Sequence, residues 1–349
     1  SGTFFDLGLS LFHNAKKLIE NGSGPYFYLP KLEHYLECRL LNDVISFCEK
    51  KLGLEIGTVK VTVLIETINA VFQMEEFLWE LKDHIVGLNA GRWDYLFSYQ
   101  KVFRKTQNVI LPDRSKVNMF VPFMTNYNKL LVDTCHKRGA FGMGGMSAQV
   151  IAKSNPKEIN EKALAGVKKD KERELNQGND GAWVAHPSLV EPVKNIFEKN
   201  FDGPNQMKKF NNDKINRRDL LDEPKIENAI TESGVRENLQ EGIEYMAYWV
   251  SGTGASVVNY LMADVATCEV SRAQLWIWLK YKAKLDDGRI INEELIDKLI
   301  AEELDKTKKR VGSDIFKKIP FENAAKIFRK MITTENFDDF LTLPLYEEI

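Results

Sequence analysis

Extended and helical segments alternate in the first third of the chain, and this alternation constrains the fold more than any other feature of the sequence. Residues 25–30 form a short aromatic strand bounded by prolines, residues 59–65 are rich in β-branched side chains, and residues 85–89 are another short apolar run. Segments with helical periodicity lie before and between these runs. The first has its apolar residues at helical spacing: Leu9, Phe12, Ala15 and Ile19. This β–α–β–α–β order predicts a parallel sheet with right-handed crossovers.

Two further strands, at about residues 139–145 and 182–186, bring the strand candidates before residue 190 to about five. A closed eight-stranded barrel needs more strands than this. The glycine-rich run from Gly142 to Met146 lacks the Gly-Lys-Ser/Thr ending of a phosphate-binding loop. A closely packed strand or turn is therefore favoured over a phosphate site, although both interpretations stay open.

The pattern changes to a helical one towards the C-terminus. A polar, Pro-containing stretch follows residue 204, and beyond it apolar residues recur every three or four positions: Val235, Leu239, Ile243, Met246 and Val250. The predicted organisation is an α/β part over residues 1–204, a linker over 205–234, and an all-α C-terminal part over 235–349.

Composition and charge exclude several classes of protein. With 44% hydrophobic and 28% charged residues, the chain is not a disordered one. The net charge of −2 provides no global basic field for a nucleic acid, and there is no run of about 18 apolar residues to cross a membrane. The four cysteines are far apart, which argues against a zinc cluster or a disulfide framework and favours a reducing compartment.

Two carboxylates stand where predicted strands end. Glu66 closes the β-branched strand, and Asp94 follows the next one. In parallel α/β folds the carboxyl ends of the strands face the active site, and paired carboxylates with water and substrate oxygens suit Mg²⁺. The alternative is that Glu66 caps the following helix or pairs with an arginine.

The segment around Asp94 is unusual in itself. Residues 87–95 combine two glycines, an asparagine and two aromatic residues directly after a strand. Glycines in such a turn indicate a backbone that approaches a ligand closely. An ordinary tight turn between strand and helix explains the composition equally well.

Asp264 is a third acidic residue with two interpretations. It lies among small and apolar neighbours in the sequence LMADVATCE, where burial would raise its pKa towards that of a proton-transferring base. Aspartate is also a good helix N-cap, and the pattern alone favours the cap.

The block at residues 82–97, KDHIVGLNAGRWDYLF, resembles the signature of malate synthases of the shorter, A-type branch. Other blocks that resemble the family occur in order along the whole chain: SGPYFYLPKLE at 23–33, VLIET at 63–67, TCHKRGAFGMGGM at 134–146, WVAHPSL at 183–189, DVATCEVSR at 264–272 and FLTLP at 340–344.

The resemblance implies a TIM barrel, incomplete at its N-terminus in this chain, with an all-α C-terminal plug. It also implies an acyltransferase of the glyoxylate cycle. Such an enzyme condenses acetyl-CoA with glyoxylate in a Mg²⁺-dependent reaction and hydrolyses the thioester to give malate and CoA.

The family's functional residues carry over onto matching positions of this sequence. Glu66 and Asp94 would be the Mg²⁺ ligands, and Asp264 would be the base that removes a methyl proton from acetyl-CoA. The remaining matched positions would contact the substrates: Gly91, Arg92, Trp93, Asp94 and Pro187.

The family's enolate-stabilising arginine belongs to a strand upstream of the part that matches Ser1, and no residue here is assigned that role. A missing N-terminal segment or a second chain would supply it. The alternative is a non-catalytic fragment or pseudoenzyme that binds ligand without turnover. A relative of the citrate lyase β-subunit is disfavoured, because such proteins lack the plug. The C-terminus has no Ser-Lys-Leu-type peroxisomal signal, so the expected location is the cytoplasm.

Overall fold

The computed structural model describes residues 1–106, 110–222 and 230–348. Within them, the α/β part has five strands: β1 (Tyr26–Leu29), β2 (Lys60–Ile65), β3 (Ile85–Ala90), β4 (Phe141–Ser147) and β5 (Gly181–Val184). The helices of this part are α1 (Gly2–Glu20), α2 (Tyr35–Leu52), α3 (Ile68–Val71), α4 (Met74–Glu80), α5 (Arg92–Phe103), α6 (Pro122–Lys137), α7 (Lys157–Gln177) and α8 (Val190–Glu198).

The five strands form one parallel sheet in the order β1-β2-β3-β4-β5, with every strand beside its neighbour in sequence. This order is that of a barrel, in which each crossover adds the next strand on the same side. The sheet curls as well. The rings of Tyr28 on β1 and Trp183 on β5 lie 5.2 Å apart, edge to face, although these strands are at opposite edges of the sheet.

The helix predicted from the spacing of Leu9, Phe12, Ala15 and Ile19 is present as α1, but only Ala15 of these four is buried. The structure buries Leu7, Leu11 and Ala15, while Phe12 is 70% exposed. The helix carries apolar residues on more than one face, and periodicity alone does not identify the face that meets the sheet.

The glycines of β4 are explained by close packing. A Cβ atom on Gly144 would lie 1.9 Å from Oε2 of Glu174, which is fully buried on α7, and a Cβ on Gly142 would lie 3.1 Å from the backbone of Val132. The Gly145 amide donates to Glu174 Oε1 at 3.0 Å, and Lys171 pairs with the same carboxylate at 2.9 Å. The strand interpretation of this run is therefore confirmed.

The C-terminal part is helical, as predicted, with one additional feature. Its described elements are α9 (Glu232–Val250), β6 (Ser256–Val258), β7 (Leu261–Ala263), α10 (Val265–Lys280), α11 (Glu293–Val311), α12 (Ser313–Lys318), α13 (Phe321–Thr333) and α14 (Thr342–Leu345). Strands β6 and β7 form an antiparallel hairpin whose turn residues, Asn259 and Tyr260, both have positive φ angles. The hairpin leads directly into α10.

Four consecutive residues, Leu111–Arg114, join the two parts of the molecule, and we call them the strap. The carbonyls of Leu111 and Pro112 accept hydrogen bonds from two side chains of α10, those of Trp278 and Gln274, at 3.0 and 2.7 Å. The Asp113 carboxylate accepts from the amide and hydroxyl of Thr231, the N-cap of α9, both at 2.9 Å.

The Arg114 guanidinium completes the strap by donating to Ser271 on α10, at 2.7 Å. Leu111, Asp113 and Arg114 are all at most 4% exposed. Buried hydrogen bonds therefore fix how α9 and α10 sit on the α/β part.

His136, at the end of α6, has an acceptor at each ring nitrogen. Nε2 is 2.9 Å from the Asp180 carboxylate and Nδ1 is 2.6 Å from the Lys209 carbonyl. Only the protonated ring can donate to both. Burial by itself lowers the pKa of His136, but these two partners outweigh burial and raise the pKa above its ordinary value of 6.5.

This geometry predicts a pH dependence of stability. Because the folded pKa is raised, the protonated ring stabilises the fold below about pH 6.5, and this contribution is lost as the pH rises through the raised pKa. We expect the free energy of unfolding to fall across that range and to fall less in His136→Asn. Urea titrations at several pH values would measure how the free energy of unfolding of each protein changes with pH. An equal change in the wild type and in His136→Asn would contradict the prediction.

In the described ranges, no helix is both long and apolar enough to cross a membrane.

Candidate active site at the carboxyl edge of the sheet

The residues of the site come together because neighbouring strands end at the same level. Ile65 of β2 is paired with Ala90 of β3, so the next residues along the chain, Glu66 and Gly91, lie side by side. Helix α5 begins immediately after Gly91, and its first turn contains Asp94. Lys31 follows β1 at the same edge. The sequence prediction that Glu66 and Asp94 lie close together at strand ends agrees with this geometry.

Glu66 is 3% exposed, and its surroundings leave it little room. A Cβ atom on Gly91 would lie 2.6 Å from the Glu66 Cβ, so glycine allows the α5 turn to approach the carboxylate. Burial and the neighbouring Asp94 carboxylate raise the pKa of Glu66 to about 8. A pair of close carboxylates at this depth needs a compensating cation.

Lys31 supplies a positive charge that the sequence analysis missed. Its Nζ donates to Asp94 Oδ2 at 2.8 Å and lies 4.0 Å from Glu66 Oε1, while its backbone amide donates to the same Glu66 oxygen at 2.6 Å. The backbone turns here in the left-handed region, at φ 56°. A signal was present in the sequence, because Lys31 follows a strand as Glu66 and Asp94 do.

Asp264 reaches the same cluster from the C-terminal part. It is the N-cap of α10, where its Oδ1 accepts from the amides of Ala266 and Thr267 at 3.0 and 3.3 Å. Burial and the Asp94 carboxylate raise the pKa of Asp264, against the effect of its backbone hydrogen bonds and of Lys31. The cap interpretation is therefore confirmed, and the surroundings that a base requires are present as well. Its role as a base stays a prediction.

The other predicted substrate contacts follow two different strands of the same sheet, β3 and β5. Arg92 and Trp93 are in the first turn of α5; the Arg92 guanidinium stacks on the Trp93 ring, 4.0 Å from its centroid, and donates to the Val117 carbonyl at 3.0 Å. Their side chains thus contact the protein, which leaves the backbone of this turn as the group able to meet a ligand. Pro187 is exposed and begins a short 3-10 helix after β5.

The chemistry of the donor set fits a hard divalent cation. Glu66 and Asp94 offer oxygen ligands, and their side chains are 4% and 12% exposed. Mg²⁺ is commonly held by one or two carboxylates, with water and substrate oxygens completing the shell. In the part of the chain that the structure describes, no group of three or more His, Cys, Asp or Glu residues could hold a metal, so any protein-bound shell here would rest on two carboxylates.

A small pocket opens beside the carboxylates. Its lining residues are Lys31, Glu33, Glu66, Thr67, Asp94, Phe97, Ser98, Lys101 and Phe340. Phe340 comes from the C-terminal part, so both parts of the molecule contribute to the wall. The fold and this site define a class: an α/β barrel protein with an acidic site, partly neutralised by a lysine, at the carboxyl edge of its strands and covered by a helical domain.

Comparison with known proteins narrows the class to a family. The family model "Malate synthase, TIM barrel domain" matches residues 1–223, and "Malate synthase, C-terminal" matches residues 229–349. The chain belongs to the malate synthase family. Its fold is accordingly the family's TIM-barrel domain followed by the C-terminal domain, as predicted. The exact domain boundaries at 204 and 235 stay a prediction, and residues 223–229 of the predicted linker lie outside the described ranges.

Individual relatives agree with this assignment. Malate synthase of Myxococcus xanthus is 43% identical over 350 residues, and glyoxysomal malate synthase of Brassica napus is 45% identical over 358 residues. Both alignments cover 100% of this chain but 64% and 63% of the relative. The bifunctional glyoxylate cycle protein of Caenorhabditis elegans is 47% identical over 350 residues, which are 36% of its length. The chain thus spans less than two thirds of the curated relatives that it matches.

A solved structure supports the fold alone. The Haloferax volcanii malate synthase in its pyruvate/acetyl-CoA ternary complex aligns with a TM-score of 0.52 and 15% identity, covering 82% of this chain and 70% of that one.

Proposed function

We propose that the protein is a malate synthase, an acyltransferase that condenses acetyl-CoA with glyoxylate and hydrolyses the thioester to malate and CoA. The observation that carries the proposal is the pairing of Glu66 and Asp94 at the ends of two neighbouring strands, where both contact Lys31. Asp264 lies close enough to Asp94 for their charges to interact. The named relatives of similar sequence support the same activity.

Magnesium is part of the proposal. Glu66 and Asp94 would hold the ion through carboxylate oxygens, and the ion would supply Lewis-acid polarisation of the glyoxylate aldehyde. The deficit of positive charge around Glu66, whose pKa is raised to about 8, supports a cation at this point. Ionised Glu66 would then be stabilised in the bound state.

The first turn of α5 is the proposed binding site of the glyoxylate carboxylate. Amides at the start of a helix lack partners within the helix and carry its positive dipole end, so they bind anions. Gly91, the N-cap, has no side chain to occupy these donors. The Gly91 amide already donates to the Tyr127 hydroxyl, so the amides of residues 92–94 would hold the substrate beside the paired carboxylates.

Asp264 is the proposed base. One of its oxygens accepts the capping hydrogen bonds, and the other is available to accept a proton from the methyl group of acetyl-CoA. The electron pair of the broken C–H bond passes into the enolate, whose carbon attacks the aldehyde carbon of glyoxylate. Water then cleaves the thioester and CoA leaves. Burial, which raises the pKa of Asp264, makes this carboxylate a stronger base than an exposed aspartate.

The enolate oxygen requires a further positive charge. By resemblance, an arginine supplies it from a strand that no part of this chain matches. We propose that a further segment or a second chain provides this group, and that Pro187 lies against the acetyl-CoA.

An assay of CoA-thiol release tests the function. The protein as encoded by its gene is incubated with acetyl-CoA, glyoxylate and Mg²⁺, and the free thiol is followed with time. We expect release that depends on all three components. Calorimetric binding of Mg²⁺ and glyoxylate without any thiol release would instead indicate a non-catalytic pseudoenzyme.

A further inference from the structure

The proposed catalytic groups belong to two parts of the molecule, and catalysis requires a fixed distance between them. Glu66 and Asp94 are fixed to the sheet, whereas Asp264 is fixed to the first turn of α10 in the C-terminal part. A shift of about 1 Å between a base and its substrate lowers catalysis by about 10²-fold. Some contact must therefore connect the Asp94 turn with the Asp264 turn.

Arg114 of the strap makes that contact. Its NH1 donates to Ser271 Oγ at 2.7 Å and to the Thr267 carbonyl at 3.3 Å. Thr267 is the residue whose amide and hydroxyl complete the capping box of Asp264. The Arg114 guanidinium thus binds the helical turn that contains Asp264.

The same guanidinium also contacts the Asp94 turn. Its central carbon lies 4.6 Å from the ring centroid of Trp93, the residue before Asp94. Arg92 stacks on that ring as well, at 4.0 Å, so Trp93 is held by two guanidinium groups. A planar cation that stacks and donates at once is a property of arginine and not of lysine.

Two guanidinium groups close together and buried repel each other, and this unfavourable pairing indicates that Arg114 has a function here. Burial, together with the nearby charge of Arg114, lowers the pKa of Arg92 to about 10. Arg114 is 4% exposed and is partly compensated by Glu237, whose carboxylate is 3.8 Å from its Nε. A neutral residue would avoid the repulsion between the two guanidinium groups, but it could not link both turns.

We propose that Arg114 is a positioning residue, which sets the distance between Asp264 and the Asp94 turn by binding the neighbours of both. This inference rests on the proposed function. It assigns to Arg114 a part in catalysis, beyond the structural part that the whole strap has in joining the two domains.

The test compares two strap variants in the protein as encoded by its gene. Arg114→Gln is expected to lower kcat by about 10²-fold while the Kd for Mg²⁺, measured by calorimetry, stays unchanged. Ser271→Ala removes one of the hydrogen bonds that Arg114 donates, so it is expected to lower kcat as well, but by a smaller factor. This variant replaces Arg114→Gln in the test if Arg114→Gln fails to fold. Asp113→Asn is the matched control, because it loosens the adjacent strap contact to α9 without touching Trp93 or Thr267. It is expected to keep kcat.

Hydrogen exchange gives a readout that does not depend on turnover. Arg114→Gln is expected to speed amide exchange at residues 92–95 and 265–268 together, and Asp113→Asn at neither. If both variants lower kcat in proportion to their loss of unfolding free energy, the strap is merely structural and the inference is wrong. If the wild-type protein has no turnover, the proposed function fails; the inference then stands if both turns loosen together in Arg114→Gln and falls if they do not.

Discussion

Asp264→Asn is expected to lower the turnover of acetyl-CoA and glyoxylate by about 10²–10⁴-fold, which is the usual contribution of a general base. The amide cannot take the methyl proton. It can still accept the hydrogen bonds from Ala266 and Thr267, because asparagine caps helices about as well as aspartate. The fold and the Mg²⁺ site should therefore survive, and kcat should change with little change in melting temperature.

Asp264→Ala is the matched control for the cap. It loses the base and also the capping hydrogen bonds, which costs about 1 kcal/mol of stability. Turnover measured beside thermal unfolding separates the two roles: both variants should lose activity, and only the alanine variant should lose stability. Near-native turnover in Asp264→Asn would show that the base is another residue.

Glu66→Gln is expected to weaken Mg²⁺ binding by more than about 100-fold. Changes to residues that only contact a metal ligand weaken binding by roughly 10–100-fold, and Glu66 is proposed to be a ligand itself. The reason is direct loss of a charged ligand. Stability of the metal-free protein should not fall, because the substitution removes a buried carboxylate that burial and Asp94 disfavour in its ionised form. Calorimetric titration with Mg²⁺ alone and thermal unfolding in the presence of a chelator measure the two effects.

Glu33→Gln is the matched control for this prediction, since Glu33 lines the same pocket but is exposed. It should bind Mg²⁺ as the wild type does. An equal loss of affinity in both variants would mean that general negative charge, and not ligation by Glu66, attracts the ion.

The sequence predicted those parts of the site that depend on local pattern. A β-branched run followed by Glu66, and a strand followed by a glycine turn and Asp94, identify strand ends without knowledge of the tertiary structure. Asp264 was identified with both of its interpretations, because a cap and a base use the same carboxylate. Packing of α10 against α5 brings it near Asp94, and the Arg114 contacts connect the two turns; no local pattern encodes either.

The sequence did not predict Lys31 or the strap, and there are physical reasons for both omissions. Lys31 follows a strand, which was a usable signal, but its backbone adopts a left-handed conformation that non-glycine residues seldom adopt, so the turn at Lys31 was not predicted. Two residues of the strap bind through backbone carbonyls, which every residue type possesses, and the sequence therefore gives no sign of the contact. The spacing of apolar residues predicted the helix α1 but not the face that it buries, because α1 carries apolar residues on more than one face and the packed neighbours decide between them.

The N-cap position of Asp264 has a consequence for the return of the proton. A helix N-terminus favours a negative charge, and the capping amides lower the pKa that burial raises. The capping hydrogen bonds therefore limit how far burial and Asp94 raise the pKa of Asp264, and they ease the loss of a proton from this carboxylate. If Asp264 is the proposed base, the hydrogen bonds that begin α10 would also help to return its carboxylate to the charged form between turnovers.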